Sequence, residues 1–364
     1  MNILVLSPKP PWALGGVERV VKETTLRIAK TREINIEIWC KGSKNEILFW
    51  NGIKVRVFKS FFGLSLTLIG ELKRAQKEFD VIHIHGTSNL YPLEVLMAIE
   101  NWSKVVVSSH YHPQGSTLLF RLTKPIYDKF IVSQYLNKAK KIICVSNTEK
   151  NILLDTFKLS RDKMRIIYNG VPIEKIKKFR NKRKILHDKV CILYFGRLEK
   201  YKNVHILIKS LRYLPESFIL TIVGDGSYKR ELEYLTKRIN LKNRVKFLGV
   251  LSEEELYTTL HSCHIIVNLS NIEAFGLMVV ESLVANKPVI VNNKLGLREL
   301  AEYFTESIVP INEPTPEDVV RAIRMLSSKR KVKVRGLKNF KWERIAKLYY
   351  VLYKSELKRE GGAE

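Results

Sequence analysis

The sequence is short of acid. Against 63 lysines and arginines it sets 36 aspartates and glutamates, a formal net charge of +27 over 364 residues. Such an excess attracts polyanions, whether nucleic acid, anionic lipid or phosphorylated substrate, and does not choose among them. Long apolar runs are missing too. Nothing approaches the roughly eighteen consecutive residues that span a bilayer, and Ile3 to Leu6 is far shorter than a signal-peptide core. A cytoplasmic protein is the expectation. Cys40, Cys144, Cys191 and Cys263 lie scattered in or beside apolar strands without paired spacing, which speaks against a zinc site or a disulfide framework and predicts reduced, buried thiols. No G-x-G-x-x-G fingerprint is present, so a dinucleotide site has poor support. Short internal repeats and low-complexity tracts are absent as well.

What is present is alternation of strand and helix. Short β-rich runs stand at Asn2 to Ser7, Ile34 to Cys40, Ile53 to Phe58, Asp80 to His85, Lys104 to Ser108, Lys141 to Val145 and Arg165 to Tyr168. Helical periodicity fills Val17 to Lys30, Leu64 to Phe79 and Asn147 to Phe157. The alternation predicts a mostly parallel sheet covered on both faces. After Asn169-Gly-Val-Pro172 the rhythm breaks, and a second series runs from Val190 to Val309. The predicted organisation is an N-terminal domain over 1–173, a basic connection over 174–189, a second domain over 190–340, and a final helix over 341–364 whose wide apolar face needs a partner. Doubly wound sheets bind ligands at the carboxyl ends of their strands, which predicts chemistry in a cleft between two facing sheets.

The stretch Ser270 to Val291 concentrates the chemistry. It reads as a strand, a turn holding Glu273, a helix entered through Gly276 and carrying Glu281, and a strand opened by Pro288. Free N–H groups at the helix start suit an anion. Carboxylates there repel phosphate, so their presence points to a ligand that also carries hydroxyls, which donate to acceptor-only groups. Either glutamate alone reads equally well as a residue favoured at a helix N-terminus.

Other motifs stand at predicted strand ends. Gly15-Gly16-Val-Glu18 opens a helix and by itself is an ordinary turn. His83 and His85 share one strand face, but no third ligand accompanies them. Ser108-Ser-His110-Tyr-His112 ends the next strand. Gly196-Arg197-Leu-Glu-Lys-Tyr-Lys202 ends the first strand of the second domain and reads alone as a basic surface loop. Gly224-Asp-Gly226 and Gly249-Val250 follow later strands.

Together, in this order, these motifs resemble the retaining, nucleotide-sugar-dependent glycosyltransferases of family 4, whose signature is Glu-x7-Glu. The resemblance runs from Gly15 to the last helix. It implies an α/β GT-B fold, two Rossmann-like doubly wound domains facing across a cleft, with the C-terminal helix crossing back to the N-terminal domain. It implies that Arg197 and Lys202 hold the donor diphosphate in place of a metal, in keeping with the absence of an Asp-x-Asp motif, so that no metal and no cofactor is needed. Glu273, with Ala274, Phe275, Gly276 and Leu277, then holds sugar and phosphate, and Glu281 the ribose hydroxyls. Gly196, Gly224, Gly226 and the Val250 backbone complete the donor site. Gly15, Gly16, Glu18, His110 and His112 face the acceptor, with Gly16 also near the donor and His110 near the transferred sugar. One departure stands out: Leu295 sits where the family's Gly-Gly-x-x-Glu loop has its first glycine.

The implied reaction transfers a sugar from a nucleotide diphosphate sugar to a glycan or polyprenyl-phosphate-linked acceptor in cell-surface polysaccharide, glycolipid or glycoprotein glycan synthesis. The same scaffold also serves epimerases and phosphorylases. A nucleic-acid partner would explain the charge, but the run Glu174 to Lys189 has only Phe179 to stack a base. The segment Phe58 to Ile69, followed by Lys73, Arg74 and Lys77, reads either as a loop and core helix or as a surface for the inner, anionic face of a membrane.

Overall fold

A computed structural model describes residues 1–13, 15–87, 90–111, 118–182, 188–327, 332 and 334–358. The chain divides into two compact units, Met1–Gly170 with Trp342–Glu364, and Val171–Lys341. Among the described residues, no helix is long and apolar enough to cross a membrane.

The first unit carries β1 (Asn2–Ser7), β2 (Asn35–Gly42), β3 (Glu46–Trp50), β4 (Ile53–Lys59), β5 (Val81–His85), β6 (Val105–Ser108), β7 (Lys141–Cys144) and β8 (Met164–Ile166). They form one sheet in the order β3-β4-β2-β1-β5-β6-β7-β8. Every pairing is parallel except β3 with β4. Helices such as Gly16–Ala29 and Asn147–Phe157 supply the crossovers that parallel pairing requires. In β1 the alternation shows how both faces are filled: Leu4 and Leu6 join one apolar cluster, Ile3 and Val5 the other.

Sequence reading missed β3, although its signal was present. Asn51 and Gly52 both take positive φ, 50° and 81°, in the two-residue turn that an Asn-Gly pair favours. The strand escaped notice because it lies on the sheet edge, where Ile47 and Phe49 are exposed.

The last helix, Trp342–Lys358, belongs to the first unit. Trp342, Ile345, Ala346, Tyr349, Leu352 and Tyr353 are buried in the cluster that holds Ile3, Val5, Val20 and Val21. The face is narrower than the sequence suggests, since Leu348 and Val351 of the same helix are exposed. Gly170 has a steric reason: a Cβ there would lie 2.5 Å from the Trp342 ring. Arg27 pairs with Glu343 at 3.1 Å, and Glu33 accepts from Tyr350 Oη at 2.6 Å and from Lys354.

The second unit carries β9 (Val190–Phe195), β10 (Phe218–Val223), β11 (Val245–Gly249), β12 (Ile265–Asn268), β13 (Val289–Asn292) and β14 (Ile308–Ile311). They form a parallel sheet in the order β11-β10-β9-β12-β13-β14. Two expectations change here. The segment read as a connection over 174–189 is in part ordered structure of this unit. Helix Ile173–Lys178 buries Ile173 and Ile176, Phe179 is buried beside the Tyr257 ring, and His261 Nε2 meets the Ile176 carbonyl at 2.8 Å. Its described basic residues are exposed, some of them paired, as Lys182 with Glu254 at 2.6 Å. The second change concerns thiols: Cys191 and Cys263 form a disulfide with Cα atoms 4.7 Å apart, whereas Cys40 and Cys144 stay free and buried. Seventy-two residues separate the pair in sequence, and only the pairing of β9 with β12 brings them side by side.

Because Trp342 is wholly buried, Trp342→Ala should cost the first unit about 3–5 kcal/mol. Leu348→Ala, on the outer face of the same helix, should stay within about 0.5 kcal/mol. Urea midpoints of the first unit's unfolding transition check both. Equal midpoints for the two variants would contradict the packing.

Candidate active site

At the carboxyl edge of the second sheet, strand-end loops nest backbone against backbone. Gly224 has φ 124°, and a Cβ on it would lie 2.0 Å from the Gly196 carbonyl oxygen; one on Gly226 would lie 2.4 Å from that of Leu198. Glycine is required at both positions by this approach. Hydrogen bonds fix the stack: Gly196 N–H donates to Val223 O at 3.0 Å, Leu198 N–H to Asp225 O at 2.9 Å, and Gly224 N–H to Gly249 O at 2.7 Å. Val250 follows this last turn and is exposed.

The same edge carries the charged residues. After Gly196 the chain passes Arg197 and enters the short 3-10 turn Lys200–Lys202. Arg197 Nη2 donates to Tyr201 Oη at 3.3 Å, and Lys202 Nζ stands 5.2 Å from the centroid of the same ring. Lys202 forms an ion pair with Glu273, both side chains largely shielded from solvent. The pair is held from both sides. The Tyr201 carbonyl accepts from Asn271 N–H at 2.9 Å, and Asn203 Nδ2 donates to Leu269 O at 2.9 Å, tying the lysine loop to the glutamate loop. Tyr194, beneath them, donates to the Arg197 carbonyl at 2.8 Å. Burial, with Glu273 nearby, drives its phenol well above the ordinary range.

Beyond Glu273 and Ala274, Phe275 is buried and Gly276, at φ 93°, caps helix Leu277–Val284. The loop rests on the next helix start, where a Cβ on Gly296 would lie 2.4 Å from Ala274 O and Gly296 N–H donates to Glu273 O at 3.0 Å. Leu295 explains its own departure from the family pattern: it takes φ 51°, the left-handed backbone a glycine would adopt there, so the turn survives with a leucine in it. Glu281, on the second turn of the helix, is buried and accepts from Tyr257 Oη at 3.3 Å. Sequence reading found Glu281 but not Tyr257, which stands in an unremarkable helix and arrives only by packing.

In the first unit, Gly15 and Gly16 open helix Gly16–Ala29, and the buried Glu18 side chain folds back over Gly15, where a Cβ would meet its Oε2 at 1.9 Å. His110 lies two residues beyond β6 with φ 45°, and its Nε2 is 3.3 Å from His85 Nδ1, the rings stacked at 18°. His83 is occupied on both nitrogens, with Tyr353 Oη at 2.6 Å and Ser108 Oγ at 2.9 Å. His83, His85 and His110 thus form one cluster whose ring nitrogens meet Tyr353, Ser108 and each other. His112 lies outside the described residues.

One organising residue was missed. Glu149 is buried and accepts from Ser109 Oγ at 2.7 Å, Tyr111 N–H at 2.5 Å and Val145 N–H at 2.7 Å, gripping the chain on both sides of His110. Its signal was legible, since Ser146-x-x-Glu149 has the form of a capping box, and Ser146 Oγ accepts from Glu149 N–H at 3.0 Å.

Two family models meet end to end on this chain. Glycosyltransferase Family 4 matches residues 14–175, and Glycosyl transferases group 1 matches residues 175–340. The O-antigen chain mannosyltransferase RfbU of Salmonella typhimurium is 27% identical over 250 residues, 64% of this chain and 68% of that protein. The N-acetylgalactosamine-N,N'-diacetylbacillosaminyl-diphospho-undecaprenol 4-alpha-N-acetylgalactosaminyltransferase of Campylobacter jejuni is 33% identical over 176 residues, 48% of this chain and 47% of that protein. The chain thus spans about half to two thirds of these relatives' lengths. Among solved structures, sucrose-phosphate synthase from Thermosynechococcus elongatus superposes with a TM-score of 0.80 at 18% identity, covering 97% of this chain and 98% of that one. Anabaena HepE in complex with UDP-glucose does so with a TM-score of 0.69 at 20% identity, covering 100% of both. At these identities the likeness establishes the fold, two parallel-sheet α/β units of the GT-B kind.

The histidine cluster makes stability depend on pH. Burial, and then the neighbouring His110, pull His83 down to about 3, and burial lowers His85 well below its ordinary range. Both stay neutral when folded while the unfolded chain takes up protons near pH 6.5. Stability is therefore full above about pH 6.5 and falls as pH drops toward 3, by up to about 1.4 kcal/mol per pH unit for each histidine. We expect His83→Gln to lose roughly one histidine's share of that slope in denaturation at stepped pH. An unchanged slope would show that His83 already carries its proton when folded.

Proposed function

The chain belongs to the family 4 glycosyltransferases, and from that membership we propose that it moves a sugar from a nucleotide diphosphate sugar to a glycan or polyprenyl-phosphate-linked acceptor, with retention at the anomeric carbon and without a metal ion or other cofactor. The observation that carries this reading is the Lys202–Glu273 pair, with Arg197 and Lys202 both beside Tyr201 and a helix that follows the glutamate loop from Leu277. A cation and an acceptor-only anion held together suit a ligand that has both phosphate and hydroxyls. In this reading the donor diphosphate replaces Glu273 as the partner of Lys202, and the released carboxylate accepts from the sugar. The N–H groups at Gly276 and Leu277 face the phosphate.

The acceptor hydroxyl oxygen attacks the anomeric carbon on the face from which the diphosphate leaves. A new carbon–oxygen bond forms as the bond to phosphate breaks, and the acceptor's proton passes to the departing phosphate oxygen. Negative charge grows on that oxygen. Arg197 and Lys202, already fixed, stabilise it more in the transition state than in the ground state. Glu281, oriented by Tyr257, takes the ribose hydroxyls, and the Val250 backbone faces the base above the turn of Gly224 and Gly226. To the acceptor we assign Gly15, Gly16, Glu18 and His110, and from the sequence His112. The HepE complex with UDP-glucose and the undecaprenol-linked substrate named for the Campylobacter relative support these donor and acceptor classes. An acceptor on a polyprenyl chain places the enzyme at the inner face of a membrane as a peripheral protein.

Kinetics on a panel of nucleotide sugars tests the assignment. We expect Lys202→Ala to lower turnover by about 10² or more, and Glu281→Ala chiefly to weaken donor binding. Normal affinity and turnover in both variants would overturn it. A chelator should leave activity intact, because the two cations and the helix N–H groups hold the diphosphate. Loss of activity in chelator, restored by magnesium, would contradict the metal-free mechanism.

A further inference from the structure

Alternation along β13 places Asn292 on the same face as Ile290, whose side chain lies in the apolar cluster that also holds Val267 and Leu269. Periodicity asks for an apolar residue at the position, which is wholly buried. An asparagine stands there instead. Its Nδ2 donates to Asn271 Oδ1 at 2.8 Å and reaches the Leu269 carbonyl at 3.5 Å. Its Oδ1, buried as well, meets no donor among the described residues. Such an oxygen gives up its hydration and gains no hydrogen bond, which destabilises the folded state. Neither acceptor depends on Asn292 for satisfaction: Leu269 O already accepts from Asn203 Nδ2 at 2.9 Å, and Asn271 is half-buried, so water can serve it. A leucine of similar shape would therefore suit the fold at least as well.

What Asn292 holds is the segment between β12 and Glu273. Within that segment, Ser270 N–H donates to Asn268 Oδ1 at 3.2 Å and Ser270 Oγ to Ile272 O at 2.9 Å. Asn271 N–H ties it to the Lys200–Lys202 turn through Tyr201 O at 2.9 Å. The Asn271 side chain then joins it to β13 through Asn292. In the free protein Lys202 also holds the Glu273 carboxylate. In the transferase reading, on which this inference rests, the donor diphosphate takes Lys202 and frees that carboxylate for the sugar. From then on the place of Glu273 depends on its own segment, and an error of about 1 Å at a reacting centre lowers the rate by as much as about 10²-fold.

We propose that Asn292 is a positioning residue of the transfer site: through Asn271 it fixes the segment that carries Glu273 once the donor has displaced Glu273 from Lys202. It acts through its neighbours and touches no substrate. The unpaired buried oxygen is retained at the expense of stability because the opposite end of the same amide sets this geometry. Arg197 and Lys202, which hold the diphosphate, lie outside the link. Breaking it should therefore separate turnover from donor affinity, and turnover from stability.

Asn292→Leu, Asn271→Ala and the double variant test this in the full chain, with the nucleotide sugar of the panel above that the unaltered enzyme turns over fastest. We expect each single variant to lower turnover roughly tenfold or more, with donor affinity held within about twofold. In Asn292→Leu the thermal midpoint should stay level or rise, and the Asn271 amide should exchange its hydrogen faster. The double variant should be no slower than the slower single one, because both substitutions break one link. Unchanged turnover in both single variants overturns the proposal. So does a loss of turnover that tracks a falling thermal midpoint, which is what an asparagine needed only for packing would give, and so do losses that multiply in the double variant. Should the unaltered chain bind no nucleotide sugar of the panel, the transferase reading fails; faster exchange at Asn271 in Asn292→Leu then still supports the hold on the segment, and unchanged exchange overturns it. Normal transfer by the variants removes the positioning role alone.

Discussion

Backbone approaches backbone at the carboxyl edge of the second sheet so closely that only a hydrogen fits on the intervening Cα. Gly224 against Gly196, Gly226 against Leu198 and Gly296 against Ala274 are the three places where this happens. Because a Cβ is missing at each, the loops after β9, β10 and β13 nest with those beside them instead of splaying apart. Arg197, Lys202, Glu273 and the helix entered at Gly276 are thereby delivered to one edge. An ion pair built this way keeps its geometry through neighbouring backbone bonds, so little side-chain entropy remains to be lost when a ligand arrives.

The first unit solves a related problem with buried polar groups. Desolvating a carboxylate or an imidazole is unfavourable unless its hydrogen bonds are met. Glu149 meets two donors flanking His110 and a third from Val145, just after β7, and His83 joins β5 to β6 and to the final helix through Ser108 and Tyr353. The final helix is thus more than an apolar cover. Its tyrosines complete a polar network whose other members lie on the central strands, which ties the folding of this helix to that of β5 and β6.

Charge in this protein has two physical roles. Lysines such as Lys41 and Lys202 are paired with carboxylates in shielded positions, where a fixed partner sets their location. Many others sit on exposed faces or against exposed aromatic rings, as Lys59 and Lys129 do. The net charge of +27 is mainly a property of this second group. It bears on encounter with anionic surfaces rather than on the fold.

Period and punctuation determined much from the sequence alone. Alternating strand and helix patterns indicated two parallel sheets, and the strand runs from Val190 to Val309 correspond closely to β9 to β14. The residues of the nested edge were legible because a glycine at a strand end marks a tight turn or a close approach of backbone. Local signals also existed for β3, in Asn51-Gly52, and for Glu149, in its spacing from Ser146. What the sequence could not contain was anything decided by which strands become neighbours. The Cys191–Cys263 disulfide, the hold of Tyr257 on Glu281, the contact of His85 with His110 and the packing of Ile173 and Ile176 all join residues far apart in the chain. Local periodicity reports how each segment presents its faces. Only the tertiary arrangement decides which face meets which, because that choice follows from burying all the apolar faces at once.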